Sequence, residues 1–138
     1  MSRISGPLLD RIDIHIEVVP VPFDKLSELK ESESSETIRN RVMKGRKVQD
    51  DRFKNQEAFH CNAQMSSKMI RKYCELDAPC QQLIKTAMEK LGLSARAYDR
   101  ILKVARTIAD LEESKNIQAH HLSEAIQYRS LDRDGWAG

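Results

Sequence analysis

The sequence predicts a mainly α protein: a helical bundle preceded by one short helical turn and one β-strand. Three observations carry this reading. From Leu93 to Leu111, the residues Tyr98, Ile101, Leu102, Ala105, Ile108 and Ala109 fall on one side of a helix turning about 100° per residue. Near the start, Ile12, Ile14, Ile16 and Val18 alternate with Asp13, His15 and Glu17, the period-two pattern of a strand. Hydrophobic residues make up 40% of the 138 positions but aromatics only 5%, so aliphatic and alanine-rich helix packing must build the core.

The elements follow in chain order. Ser5-Gly6-Pro7-Leu8-Leu9-Asp10-Arg11 reads as one helical turn, with Pro7 early in it. The strand after it has no convincing second strand beyond Pro20 and Pro22, and a lone strand cannot form a sheet. It pairs either with another copy or with strands upstream of Met1, and the second arrangement is the expectation. Phe23 to Lys30 is expected to form a short helix, and the acidic, serine-rich stretch from Glu28 to Glu36 a linker. A long helix is predicted over Ser35 to Gln56, with Ile38, Val42, Gly45, Gln49 and Phe53 as its inward stripe. Gly45 in its middle costs about 1 kcal/mol relative to Ala, which points to close packing there. Ser66 or Ser67 caps a helix through Leu76, with Met69, Ile70 and Tyr73 inward. Asp77-Ala78-Pro79 opens the next, striped by Leu83, Ile84, Ala87, Met88 and Leu91 and ended by Gly92. Ser94 caps the helix that runs to about Ser114, and a last helix spans about Ala119 to Arg129, packing Leu122, Ala125 and Ile126.

Composition excludes several classes. Charged residues are 32%, yet the formal net charge is only +2, which demands neither nucleic acid nor membrane as partner. No apolar run approaches the ~20 residues of a membrane span, and no signal-peptide stretch opens the chain. Cys61, Cys74 and Cys80 lack Cys-x-x-Cys spacing, so reduced thiols in a cytoplasmic protein are expected. A zinc site from His60, Cys61, Cys74 and Cys80 would have irregular spacing; buried structural cysteines fit better. His120 and His121 are adjacent, project about 100° apart and make a poor metal pair, so no metal site is expected. No Gly-x-x-x-x-Gly-Lys-Ser/Thr, Gly-x-Ser-x-Gly or His-Glu-x-x-His occurs. Seven basic residues lie between Arg39 and Lys54, partly offset by Asp50 and Asp51. Without interleaved aromatics, a solvated face fits them better than a nucleic-acid groove.

Arg96, Arg100 and Lys103 share the face of their helix opposite the apolar stripe, within about 60° of one another. A solvated basic face is the simpler account of the three. The sharper one is that Arg96, held in the first turn, reaches a phosphate carried by a neighbouring domain.

A family resemblance bears on that choice. Gly6-Pro7-Leu8-Leu9-Asp10-Arg11-Ile12-Asp13-Ile14-His15-Ile16-Glu17-Val18 resembles the end of the nucleotide-binding core of magnesium-chelatase-like AAA+ ATPases. Arg46-x-x-Gln49-x-x-Arg52-Phe53, Asn62-Ala63-Gln64-Met65, the run from Leu93 to Leu111, and His121-Leu122-x-Glu124-Ala125-Ile126-Gln127-Tyr128-Arg129 follow in the family's order. The combination resembles the branch related to the competence protein ComM, the YifB type. Members of that branch resemble hexameric ATPase motors, and the competence protein is associated with DNA branch migration.

By this resemblance Arg11 matches the arginine finger, which reaches the ATP site of an adjacent subunit. Arg96 matches the sensor-2 arginine, which contacts the γ-phosphate from the lid. Asp10 is expected to orient Arg11 and the subunit interface, while Arg100 and Lys103 match no motif with a role. Gly45 departs from the alanine usual at its position. The P-loop, the magnesium-binding acidic motif and sensor 1 are expected upstream of Met1. The resemblance thus implies the end of an AAA+ core at 1–22, a linker at 23–36, a helical lid domain at 37–131 and a flexible tail at 132–138. It implies ATP and Mg2+ as ligands of the whole protein and none bound to this stretch alone. The implied partners are the protein's own upstream AAA+ core, further copies in a hexamer, and DNA. A stand-alone helical module binding protein or DNA is the competing reading.

Overall fold

The computed structural model describes residues 5–27 and 32–129. The expected tail at 132–138 and part of the expected linker lie outside them. Helices dominate: α1 (Gly6–Asp10), α2 (Phe23–Leu26), α3 (Ser35–Phe53), α4 (Ser67–Tyr73), α5 (Ala78–Leu91), α6 (Ala95–Leu111) and α7 (Ala119–Gln127), with a 3-10 turn at Asn62–Gln64.

The local reasons for these boundaries are chemical. Ser34, Ser66, Asp77 and Ser94 each accept a hydrogen bond from a backbone N–H in the first turn of the helix that follows. Pro79 sits in the first turn of α5, where its missing N–H has no partner to lose. Gly92 ends α5 at φ 59°, the left-handed conformation a glycine adopts without a Cβ penalty.

Helix α6 is the axis of the bundle. It packs against α7, α3, α4 and the 3-10 turn, and α5 packs on α7. Ala97, Ile101, Leu102, Ala105 and Ala109 are buried along it, and Phe53, Met65, Ile70, Cys74, Cys80, Ile84, Ile117 and Leu122 close around them. Alanines on the axis let the other helices approach closely. Tyr98, expected inward, is 37% exposed beside Ile84 and Met88.

Helix α3 behaves as two halves. Gly45 and Phe53 are buried and Gln49 is half-buried, but Ile38 and Val42 are exposed. At 1.5 Å per residue the helix is about 28 Å long, and among the described residues only its second half carries buried side chains. A Cβ added to Gly45 would lie 2.9 Å from Leu111 Cδ2, so the close packing expected there is present.

Residues 12–22 form neither a helix nor a strand ladder among the described residues. Ile16, Val18, Val19 and Val21 are exposed. The alternation marks a segment suited to a sheet, and none of the described segments offers it a strand to pair with. Its first part is tied instead to the bundle, where the His15 N–H donates to the Tyr128 carbonyl at 2.8 Å.

Candidate functional site

Two arginines stand out by what they lack. Arg11 and Arg96 are both exposed. Among the described residues, neither guanidinium has a hydrogen-bond or ion-pair partner. Arg11 follows the last turn of α1, and Arg96 lies in the first turn of α6. The fold brings these two turns together: the Ser94 hydroxyl, which caps α6, donates to Asp10 Oδ2 at 3.2 Å. The residue before Arg11 is thereby hydrogen-bonded to the residue that starts the helix of Arg96.

More contacts hold the N-terminal segment in place. Leu9 is buried. The Arg129 guanidinium, 0% exposed, donates through Nη1 to the Ile12 carbonyl and through Nη2 to the Asp10 carbonyl at 3.5 Å. It also lies 3.8 Å from the Asp10 carboxylate. Arg100 pairs with Asp13 at 2.6 Å. Of the three basic residues sharing a face of α6, then, Arg100 is held in an ion pair and Lys103 donates to the Ala63 carbonyl at 3.0 Å. Arg96 alone of the three is uncommitted among the described residues.

A second polar constellation is internal. Asp110 is 0% exposed, and its carboxylate accepts from Arg52 through both guanidinium nitrogens at 2.7 Å. It also accepts from Arg106 Nε at 3.1 Å and Asn62 Nδ2 at 2.8 Å. Arg106 spends its remaining donors on the carbonyls of Ser114 and Lys115. Gln49 accepts from the Asn62 N–H, and Gln64 accepts from the His60 N–H. Burial pushes the Arg106 guanidinium below its ordinary pKa, and Asp110 pulls it back up. Gln49 and Arg52 of the first motif and Asn62 of the second are therefore two sides of one network that ties α3 and the 3-10 turn to α6. Sequence reading missed Asp110, Arg106 and Arg129; the i,i+4 spacing of Arg106 and Asp110 was the available signal.

His120 and His121, expected to diverge, converge on one oxygen. Their Nε2 atoms lie 2.9 and 2.6 Å from Glu112 Oε2, with ring centroids 3.9 Å apart. Glu112 lies just beyond the last turn of α6 and can reach both rings at once. The Gln118 N–H donates to His121 Nδ1 at 3.0 Å, which places the ring proton on Nε2. With both rings against one carboxylate oxygen the trio ties α6 to α7, and its ligand atoms, within 4.8 Å of one another, are also close enough together to hold a metal ion. The donated hydrogen bonds, from His120 foremost, hold the Glu112 carboxyl below its ordinary pKa.

The cysteines stay apart from this chemistry. Cys61, Cys74 and Cys80 are free thiols. Burial raises Cys74 and Cys80 to about 11, which makes them inert. No helix among the described residues is long and apolar enough to cross a membrane.

Comparison with known proteins places this architecture. The family model for the C-terminal region of the magnesium chelatase subunit ChlI matches residues 32–129. The chain is 42% identical over 134 residues to the uncharacterised protein YifB of Escherichia coli, covering 96% of this chain and 26% of that protein. It is 42% identical over 134 residues to the competence protein ComM of Haemophilus influenzae, covering 96% of this chain and 25% of that one. An uncharacterised protein of Mycobacterium tuberculosis is 28% identical over 129 residues, covering 94% and 25%. The chain thus spans about a quarter of the length of the curated relatives it matches.

Proposed function

We propose that this chain, which belongs to the magnesium chelatase ChlI C-terminal family, is the lid region of a ComM- or YifB-type AAA+ ATPase. In this reading it couples ATP binding and hydrolysis to motion in an oligomeric motor, a hexamer acting on DNA in recombination or competence, in the cytoplasm. The observation that carries the reading is the pairing of Arg11 with Arg96. Two exposed guanidiniums, uncommitted among the described residues, sit on turns hydrogen-bonded through Ser94 and Asp10, while the other arginines of this corner are held in place.

Guanidinium groups suit this work because they stay charged and present donors in a planar fork that matches phosphoryl oxygens. Arg11 acts as the finger: it donates to the oxygens of the transferring phosphoryl group in an adjacent subunit and stabilises the charge that develops there. Arg96 acts as sensor 2, contacting the γ-phosphate from the lid. The phosphate-cradling loop and the magnesium-binding carboxylates come from the rest of the protein, because this sequence holds no P-loop motif. The segment at 12–22, with its exposed Ile16, Val18 and Val21, supplies a strand to the sheet of that core.

Turnover in the whole protein tests the two roles. Arg11→Ala should lower kcat by roughly 10³-fold or more while leaving ATP binding and assembly close to normal, since a finger acts on the transition state. Arg96→Ala should also impair hydrolysis. Normal turnover in both variants would refute the reading. This chain by itself should show no saturable ATP binding in calorimetry, and a micromolar site on it would count against the division of labour.

A further inference from the structure

We infer that Glu112, His120 and His121 form a binding site for a divalent transition-metal ion of the zinc type, which fastens the end of α6 to the start of α7. The inference is independent of the ATPase reading. Nε2 of His120 and Nε2 of His121 lie 2.9 and 2.6 Å from the same carboxylate oxygen, Glu112 Oε2, and one ligand atom from each residue fits within 4.8 Å of the others. Two imidazoles and one carboxylate are a donor set that Zn2+ and its neighbours in the transition series take, whereas Mg2+ and Ca2+ prefer oxygen alone. Around a tetrahedral Zn2+ with bonds of about 2.1 Å, ligand atoms stand about 3.4 Å apart. Each of the two contacts therefore has to open by less than about 1 Å to admit the ion.

The fold prepares this geometry in advance. Glu113 turns the chain at φ 57° just after α6, and His120 follows Glu112 by eight residues. The loop between them is held from inside. The Ser114 N–H donates to the Ala109 carbonyl at 2.8 Å, Arg106 donates to the carbonyls of Ser114 and Lys115, and Ile117 is buried. The His121 side chain is 0% exposed, which fixes its ring, while those of Glu112 and His120 are 52% and 58% exposed. One ligand is thus rigid and two face solvent, so an ion can enter and keep a water as its fourth ligand. A site held this way loses little freedom on binding. In the hydrogen-bonded clamp Nε2 of His121 carries the ring proton, because Nδ1 accepts from the Gln118 N–H. Coordination moves that proton to Nδ1 and frees the Nε2 lone pair for the metal. The Gln118 N–H then turns to water, which it can reach because Gln118 is exposed at the start of α7. His120 takes the same tautomer, with its Nδ1 proton in solvent. Neither neutral ring gains or loses a proton in the change.

Calorimetric titration of this chain with Zn2+, under reducing conditions and without chelators, tests the site. One Zn2+ should bind per chain, and Mg2+ should not compete for it. His120→Ala and Glu112→Gln, both at exposed positions, should weaken binding by about tenfold or more, since even a residue behind a ligand contributes about 10–100-fold to metal affinity. Cys61→Ser should bind as the unsubstituted chain does, which separates this site from the half-buried thiol beside His60. Zn2+ should raise Tm in the unsubstituted chain and not in His120→Ala, because an ion that binds only the folded state stabilises it. Nitrogen-15 shifts of the two rings should show Nε2 passing from protonated to metal-bound as Zn2+ is added. These shifts decide the matter on the unsubstituted chain should a variant fail to fold. Absence of saturable Zn2+ binding, binding that survives both substitutions, binding lost in Cys61→Ser, or Nε2 shifts that ignore Zn2+ would each overturn the inference.

Discussion

Removing the Asp110 carboxylate should strongly destabilise the bundle. Asp110 is 0% exposed and accepts hydrogen bonds from Arg52, Arg106 and Asn62. Asp110→Ala would leave two guanidiniums facing each other without the charge that neutralises them. One of them, Arg106, is itself only 4% exposed. Breaking a buried ion pair by deleting one partner costs about 3–5 kcal/mol, because the surviving charge is stranded. A domain of this size has about 5–15 kcal/mol of stability in all. The expected loss is therefore a large fraction of the total and should lower Tm by roughly 10 °C or more. Urea unfolding followed by far-ultraviolet circular dichroism reads this directly, through the midpoint at unchanged slope. Asn62→Ala should cost less, about 1–3 kcal/mol, since it strands hydrogen-bonding groups and no net charge. A loss below about 1 kcal/mol for Asp110→Ala would refute the claim that this network holds α3 and α6 together.

Further outcomes follow from other positions. Arg96→Ala should change stability by less than about 0.5 kcal/mol, because the side chain is exposed and uncommitted among the described residues; a loss of several kcal/mol would make Arg96 structural. Glu113 holds φ 57° just after α6, and Glu113→Gly should raise stability by about 0.5–1 kcal/mol, measured by the same unfolding curves. Glu112 has a carboxyl pKa below its ordinary 4.5, so its contribution is complete above that pH and lost as pH falls through the lower folded value. Glu112→Gln should accordingly flatten the decline of stability in the acid range below pH 4.5, and an unchanged slope there would show that the clamp does not form. Cys74 and Cys80, raised to about 11, should resist a thiol reagent at pH 8 until the protein unfolds, whereas half-buried Cys61 reacts first; mass spectrometry of the labelled chain distinguishes them.

What the sequence disclosed and what it hid have a common physical origin. Helix α6 was legible because its stripe is periodic and Ser94 is an N-cap, both local signals. The starts of α3, α4 and α5 and the glycine stop at Gly92 were legible for the same reason. Ile38 and Val42 were assigned to the core because periodicity reports which face of a helix is apolar, not how far its partner extends. Asp110, Arg106 and Arg129 look like ordinary surface charges in a chain that is 32% charged. For Asp110 and Arg129 burial depends on partners 58 and more than a hundred residues away, as in the Arg52–Asp110 and Arg129–Ile12 contacts. Backbone direction alone separates His120 from His121, but side-chain reach brings both rings to Glu112. Arg11 and Arg96 were singled out by motif and helix geometry. That their turns meet through Asp10 and Ser94 was not readable from positions 84 residues apart.

The trans action of Arg11 can be read from mixed rings of the whole protein. One set of subunits carries Arg11→Ala, the other a substitution of the P-loop lysine, and each alone should be inactive. In a mixed ring, a subunit with an intact P-loop can sit beside one that still presents Arg11. ATP turnover should then reappear on mixing and peak near equal proportions. Mixed rings that form, as shown by co-purification of differently tagged subunits, yet recover no turnover at any ratio would contradict a finger that works across the interface.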